Sequence, residues 1–331
     1  MSCKILKIGN TVIPHGLILA PMAGFTDRAM RLVCKEQGAE YSVTEMVSAK
    51  AVTYNDRKTE LIARIGEDEG CVALQLFGSE PDVMARAAEK MAGGVAGYSA
   101  PVAIDINMGC PVPKVFGNGE GSALMKSPEL IEKIVRQVKS ATDIPTTVKL
   151  RAGIDDTSKN AVECALAAER GGADAVCIHG RTRKQLYAGR ADREIIKNVK
   201  RALQIPVIAN GDITSYAEAL DMLSVTGADG LMIGRGAIGN PFLFSEIISG
   251  LDGAEYTPPS MEQRISVALR QLSYAIADKG EGVAVRESRK QIALYFKTFR
   301  GAAAMRAGIN RAESFDEVRA ALSLLSEEKQ G

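Results

Sequence analysis

Eight short apolar-rich runs recur along the chain, most of them followed by a loop and a segment of helical periodicity. They are Leu17–Ala20, Tyr41–Thr44, Val72–Leu76, Ala103–Asn107, Thr146–Leu150, Ala175–His179, Pro206–Ala209 and Gly230–Ile233. Runs of this length suit strands buried on both faces, as in a parallel sheet. Helix signals lie between them. Thr26–Gln37 follows Gly24-Phe25, Ser79-Glu80-Pro81-Asp82 opens the next segment, and Ser127-Pro128-Glu129 caps another with Pro at the favoured first position. Thr157-Ser158 opens a segment closing at Gly171-Gly172, and Thr214–Ser224 and a stretch after Asn240-Pro241 complete the set. Strands alternating with helices predict an α/β chain, a (β/α)8 TIM barrel. A doubly wound open sheet is the competing architecture, but no G-x-G-x-x-G string opens the first helix.

The texture changes after residue 250. Thr257-Pro258-Pro259-Ser260 resembles a linker or helix start. From Met261 onward only helical periodicity remains, broken at Gly280–Gly282, Gly301 and Gly308–Asn310. This predicts a barrel over residues 1–250 and a small C-terminal all-α domain of three or four helices over 251–331. Lys+Arg is 41 and Asp+Glu 40, so overall charge does not select a nucleic-acid partner; a local patch would have to. Six cysteines without a C-x-x-C pair argue against a zinc ribbon or disulfide scaffold, and two histidines against a His-rich metal centre, so no metal is expected. Without a membrane-length apolar run or a signal peptide, the chain reads as cytoplasmic, with no membrane and no obligate protein partner.

Barrels place chemistry at the C-terminal ends of their strands. There this chain delivers Ala20–Gly24, Glu45-Met46, Gln75, Asn107 to Pro111, Lys149 and Arg151, His179–Arg181, Asn210–Asp212 and Gly234–Gly236. Any one of these could simply hydrogen-bond loop backbone. So many polar groups on one buried rim call for a flat polar ligand. Asn210-Gly211-Asp212 and Gly234-Arg235 follow the seventh and eighth strands, the usual phosphate site of this fold, and Arg235 adds a forked donor. Gln75, Asn107 and Lys149 then suit the carbonyls and ring nitrogens of an isoalloxazine, with Lys149 stabilising an anionic reduced ring. A Schiff-base role for Lys149 is the alternative. Cys110 lies in a rim loop between Gly109 and Pro111. A protonated thiol there can supply the proton that accompanies hydride addition to a carbon–carbon double bond.

The strings Ala20-Pro21-Met22-Ala23-Gly24, Gln75-Leu76-x-Gly78, Asp105-Ile106-Asn107-Met108-Gly109-Cys110-Pro111, Lys149-x-Arg151, His179-Gly180-Arg181-Thr182-Arg183, Asn210-Gly211-Asp212-Ile213 and Met232-Ile233-Gly234-Arg235 resemble those of the tRNA-dihydrouridine synthases, nearest the bacterial subfamily B. The resemblance runs from about Ile8 to Asn310 and rests most on Asn-Met-Gly-Cys-Pro. It implies an enzyme that reduces selected tRNA uridines with FMN, itself reduced by NADPH or NADH. Pro21, Met22 and Ala23 would support the flavin by backbone contacts, Gln75 and Lys149 would touch the ring, and His179 would lie beside it. Asn210, Gly211, Asp212, Gly234 and Arg235 would hold the ribityl-phosphate. Hydride would reach C6 of uracil, Cys110 would protonate C5, and Asn107 would sit near the base.

That resemblance gives the C-terminal region a purpose. From Val285 to Arg311 seven Lys/Arg face one acid, Glu287, a local charge of +6. At about 100° per residue, Arg286, Arg289, Lys290, Lys297 and Arg300 share one helix face, opposite Ile292, Tyr295, Phe296 and Phe299. Arg286, Lys290, Lys297 and Arg300 are therefore candidate tRNA-backbone ligands, although a solvated basic face is the commoner meaning of such charge. Glu120, Arg193, Gln291 and Leu294 depart from the family's usual residues, the first from a small one, the second and fourth from Trp, and Gln291 from His. Competing readings are a dihydroorotate-dehydrogenase-like flavin barrel, a non-enzymatic RNA-binding protein and an aldolase-like lyase acting through Lys149.

Overall fold

The computed structural model describes residues 5–297, 299 and 301–327. It opens with an antiparallel hairpin, β1 (Leu6–Ile8) and β2 (Thr11–Ile13). Eight strands then form a parallel barrel: β3 (Leu17–Leu19), β4 (Tyr41–Val43), β6 (Val72–Phe77), β7 (Ala103–Met108), β8 (Thr146–Arg151), β9 (Ala175–His179), β10 (Val207–Asn210) and β11 (Gly230–Ile233). Each barrel strand pairs with the next, and β11 closes on β3 through Met232 opposite Ile18. A two-residue strand, β5 (Val47–Ser48), takes over from β4 beside the upper half of β6. All eight expected strands are present. The hairpin and β5 lie outside that expectation.

Pairing register fixes which side chains point inward, because alternate residues of a strand share a face. Gln75 stands beside Asp105, Asp105 beside Thr147, Asn107 beside Lys149, Arg151 beside His179, and His179 beside Asn210. Lower in the barrel the inward set is apolar: Ile18, Tyr41, Val43, Ala73, Ala103, Ala175, Cys177, Ile208 and Met232. Leu6, Ile8 and Ile13 of the hairpin belong to the same buried cluster. The hairpin thus seals the floor, and Gly16 meets Gly230 so closely that a Cβ on Gly230 would lie 2.8 Å from the Gly16 oxygen.

Helices wrap the barrel, and of the three caps that follow Ser127 is the one expected. Asp27 caps Arg28–Glu36, Ser127 caps Pro128–Ser140 and Ser215 caps Tyr216–Thr226. The helix expected to open at Thr157 begins later, at Ala161. Asp155 accepts bonds from the Thr157 N–H and from the Thr157 and Ser158 hydroxyls, which holds those residues in a turn. Helix Arg193–Ala202, capped by Asp192, adds to the expected set.

Beyond the barrel come helices Met261–Lys279, Glu281–Ile292, Ala302–Arg311 and Phe315–Glu327, with a 3-10 turn at Ala293–Phe296. The break expected at Gly308–Asn310 is absent. Gly308 is helical, and a Cβ there would sit 2.9 Å from the Ala321 Cβ, so its bareness serves a close helix crossing. The single basic helix face is also corrected, because the α-helix ends at Ile292. Arg289 turns away to donate to the Ala312 carbonyl at 3.1 and 2.5 Å. Arg286, Lys290 and Lys297 remain exposed, and Arg300 lies outside the described residues. Tyr295 and Phe296 are buried as expected.

Met261–Lys279 lies against Arg28–Glu36 of the barrel and is tied to it by charge. Arg270 pairs with Glu36 at 3.0 Å, and Lys279 with Asp27 at 2.7 Å and Glu287 at 2.9 Å. No helix among the described residues is long and apolar enough to cross a membrane.

Candidate active site

The upper barrel interior is a chain of polar side chains joined edge to edge. Thr147 donates to Asp105 at 2.6 Å, and the Gln75 amide donates to the other Asp105 oxygen at 2.7 Å. Asn107 donates to the Gln75 oxygen at 2.8 Å. The Asn107 oxygen then accepts the backbone N–H groups of Cys110 at 2.9 Å and Gly109 at 3.2 Å. Gln75, Asp105 and Asn107 are all buried, which makes every one of these bonds costly to lose.

The Cys110 loop is pinned from the other side as well. The Ser122 hydroxyl donates to the Cys110 carbonyl at 2.8 Å, and Arg151 donates to the Gly109 carbonyl at 2.8 Å. Gly121 has φ +59°, and a Cβ on it would lie 2.9 Å from the Cys110 Cβ. Burial pushes the thiol pKa up, against smaller opposing effects of the Val112 N–H and Arg151. At neutral pH the group is a thiol, suited to give a proton away.

Across the barrel, Lys149 donates to the Asn210 side-chain oxygen at 3.0 Å, and the Asn210 amide donates to the Met232 carbonyl at 2.7 Å. Burial lowers the Lys149 amine pKa. His179 is pushed well below its ordinary value by burial and then by Lys149, Arg151, Arg181 and Arg235, so its ring is neutral. The Arg181 guanidinium stands 3.5 Å from His179 Nε2 and has only donors, which leaves the ring proton on Nδ1.

Asp212 has φ +53° and anchors the turn after β10. Burial alone would raise its pKa, but the Ala191 N–H and Arg181, at 2.7 Å each, outweigh that and hold it low. Arg235 lies 3.6 Å from the same carboxylate and 4.3 Å from the centre of the exposed Tyr187 ring. Gly211 has φ +129°, and a Cβ on it would meet the Ala191 Cβ at 2.6 Å. Only glycine leaves this turn open to an anion while keeping its backbone. Met22 of the Pro21–Ala23 loop faces Gly234, its sulfur 3.6 Å from where a Cβ would stand.

The structure thus joins Gln75 to Asn107 and the Cys110 backbone, and Lys149 to Asn210. It sets His179 and Asp212 around Arg181, with Arg235 beside Asp212, and keeps Pro21, Met22 and Ala23 in the loop above β3. A part-buried amine, neutral imidazole, two amides, a bare glycine turn and a half-exposed guanidinium fit a flat heteroaromatic ligand with a phosphate tail. Asp105, Arg151 and Arg181 were not assigned roles from sequence. Their signal was the period-two spacing of polar residues toward the ends of buried strands and just beyond: 105 and 107, 147, 149 and 151, 179 and 181.

A sequence profile of the family described as dihydrouridine synthase matches residues 18–329. The chain belongs to the dihydrouridine synthase family. It is a family of flavin oxidoreductases, and its tRNA-modifying members include several similar proteins. A probable tRNA-dihydrouridine synthase of Rickettsia conorii is 41% identical over 308 residues, covering 92% of each chain. The tRNA-dihydrouridine synthase B of Pseudomonas aeruginosa is 39% identical over 329 residues, covering 99% of this chain and 97% of that one. Histamine dehydrogenase from Rhizobium sp. 4-9 shares the fold, with a TM-score of 0.57 at 13% identity over 82% of this chain. This chain spans 50% of that larger structure.

Among the departures from the dihydrouridine synthase pattern, Glu120 stands beside the Cys110 loop, immediately before Gly121. Glu120 is part-buried, which raises its pKa against the pull of Lys50. Arg193 pairs with Asp221, and Leu294 is exposed. Gln291 is buried and accepts from Gln271 at 2.7 Å, so it packs the helical module and does not line its basic surface.

Proposed function

We propose that this dihydrouridine synthase reduces the C5–C6 double bond of selected tRNA uridines, with FMN as resident cofactor and NADPH or NADH as reductant. When bound, the flavin supplies hydride to C6 of uracil. Cys110 gives its proton to C5, and its loop is held at that task by Asn107, Ser122 and Arg151. Asn107 also flanks the base. Gln75 and Lys149 face the ring, and the Lys149 charge stabilises its anionic reduced form. His179, neutral, lies beside it. The backbone N–H groups of Gly211, Asp212 and Gly234 and the Arg235 guanidinium receive the phosphate, with Asn210 and the Pro21–Ala23 loop completing the cradle. Residues 1–250 hold FMN, and 251–331 carry the tRNA on Arg286, Lys290 and Lys297.

The observation that carries this reading is the buried thiol in a loop anchored to Asn107, on the same rim as Lys149 and the open glycine turns. The target base must leave its stack to reach that depth. Incubating the protein with FMN, NADPH and unmodified tRNA should yield dihydrouridine at a defined position by mass spectrometry. No product from protein that still carries reducible flavin would overturn the assignment in favour of a small-molecule substrate.

A further inference from the structure

Asp105 is a buried acid that the chemistry above leaves without a task. It is 2% exposed, and among the described residues its carboxyl oxygens bond to two side chains of the barrel interior, Gln75 and Thr147. A buried carboxyl is expensive, and two apolar residues could fill the space of Asp105 and Thr147 at lower cost. What the pair supplies is direction. Burial raises the Asp105 pKa, but both of its oxygens accept in this arrangement, one from Thr147 and one from Gln75, so the Gln75 amide turns its nitrogen toward Asp105 and its oxygen toward Asn107. Asn107 must then present nitrogen to Gln75 and oxygen to the Gly109 and Cys110 N–H groups. Reversing both amides would set the Asn107 nitrogen against two N–H donors. An acceptor at one end and donors at the other demand the same polarity along the whole chain.

We propose that Asp105 is a positioning residue for the proton donor, tethering Gln75 and, through Asn107, fixing the place of Cys110 above the barrel. The consequence for the reaction rests on Cys110 being the acid. The mechanical coupling does not. Asp105 touches neither substrate nor the reacting thiol, and acts through two amides that do line the site.

The test compares Asp105→Leu, which removes the acceptor at similar size, with Asp105→Asn, whose side-chain oxygen can still receive the Gln75 amide. The probe is iodoacetamide at pH 7 on the flavin-containing protein, with Cys110 alkylation followed by peptide mass spectrometry against part-exposed Cys71 as internal reference. Asp105→Leu should alkylate Cys110 at least tenfold faster, and Asp105→Asn should stay within threefold of the parent. Flavin reduction by NADPH should change less than threefold in both, while transfer to tRNA in a single turnover should fall at least tenfold in Asp105→Leu alone. Equal behaviour of the two variants, or unchanged Cys110 alkylation beside a lowered melting temperature, would make Asp105 a packing residue. Should Asp105→Leu not fold, Gln75→Leu cuts the same chain one link later. Faster Cys110 alkylation there supports the tether, and an unchanged rate overturns it. Full uridine reduction by Cys110→Ala would instead remove the acid role and leave the alkylation result standing.

Discussion

At Cys110 a single proton decides the outcome. Replacing it with Ala should leave flavin bound and cut uridine reduction by about 10²–10⁴-fold, the usual worth of a positioned acid, measured in single turnovers. The thiol donates only while protonated, and burial raises its pKa. Activity should therefore hold through neutral pH and fall on an alkaline limb whose midpoint lies above that of an ordinary thiol. Arg235→Ala should weaken flavin retention, read as flavin-to-protein ratio after gel filtration; an unchanged ratio would refute the phosphate assignment. His15 offers a separate titration. Burial lowers its pKa, but Glu40 at 2.7 Å and Asp252 at 3.2 Å outweigh that and raise it above 6.5. Its ion pairs stabilise the fold fully below pH 6.5 and are lost as pH rises through the raised value. His15→Gln should thus lower the melting temperature more at pH 5.5 than at pH 9. Cys110, Lys149 and the glycine turns were legible in sequence because their residue types are unusual where a barrel does chemistry. Asp105 was hidden, because a polar residue inside a strand gives no hint of which neighbour it holds.

Among the elements, Gly308 shows how local and tertiary preferences compete. Gly308→Ala would gain about 0.5–1 kcal/mol of helix propensity. The new carbon would stand 2.9 Å from the Ala321 Cβ on a helix that cannot rotate it away. Overpacking of that kind costs about 1–3 kcal/mol, so the variant should be net destabilised in a urea titration. The expected break at this glycine failed for the same reason: sequence reports the conformational cost of glycine but not the partner that requires it. The eight barrel strands, buried on both faces, were readable from their composition. Two-residue β5 has no periodicity to read. The β1–β2 hairpin did carry a signal, the two-residue Gly9-Asn10 turn between Ile8 and Thr11, with Gly9 at φ +56°. Helix Arg193–Ala202 likewise had its Asp192 cap and its apolar spacing at Ile195, Ile196 and Val199.

Across the whole molecule, charge joins the helical module to the catalytic rim. Lys290 lies 4.4 Å from the Phe25 ring centre and so reaches the loop beside Pro21–Ala23. Reversing Lys290 and Lys297 to Glu should weaken tRNA binding and flatten the slope of log affinity against log salt by about 2, if each meets one phosphate. An unchanged slope would return these residues to solvent. The sealed floor has a different kind of consequence. A vessel with one opening must serve its visitors in turn. Because the hairpin covers the far end of the barrel, the proposed nicotinamide reductant and tRNA would both approach from the mouth and would take turns there. Initial rates should trace parallel lines in double-reciprocal plots, and excess reductant should compete with tRNA for entry.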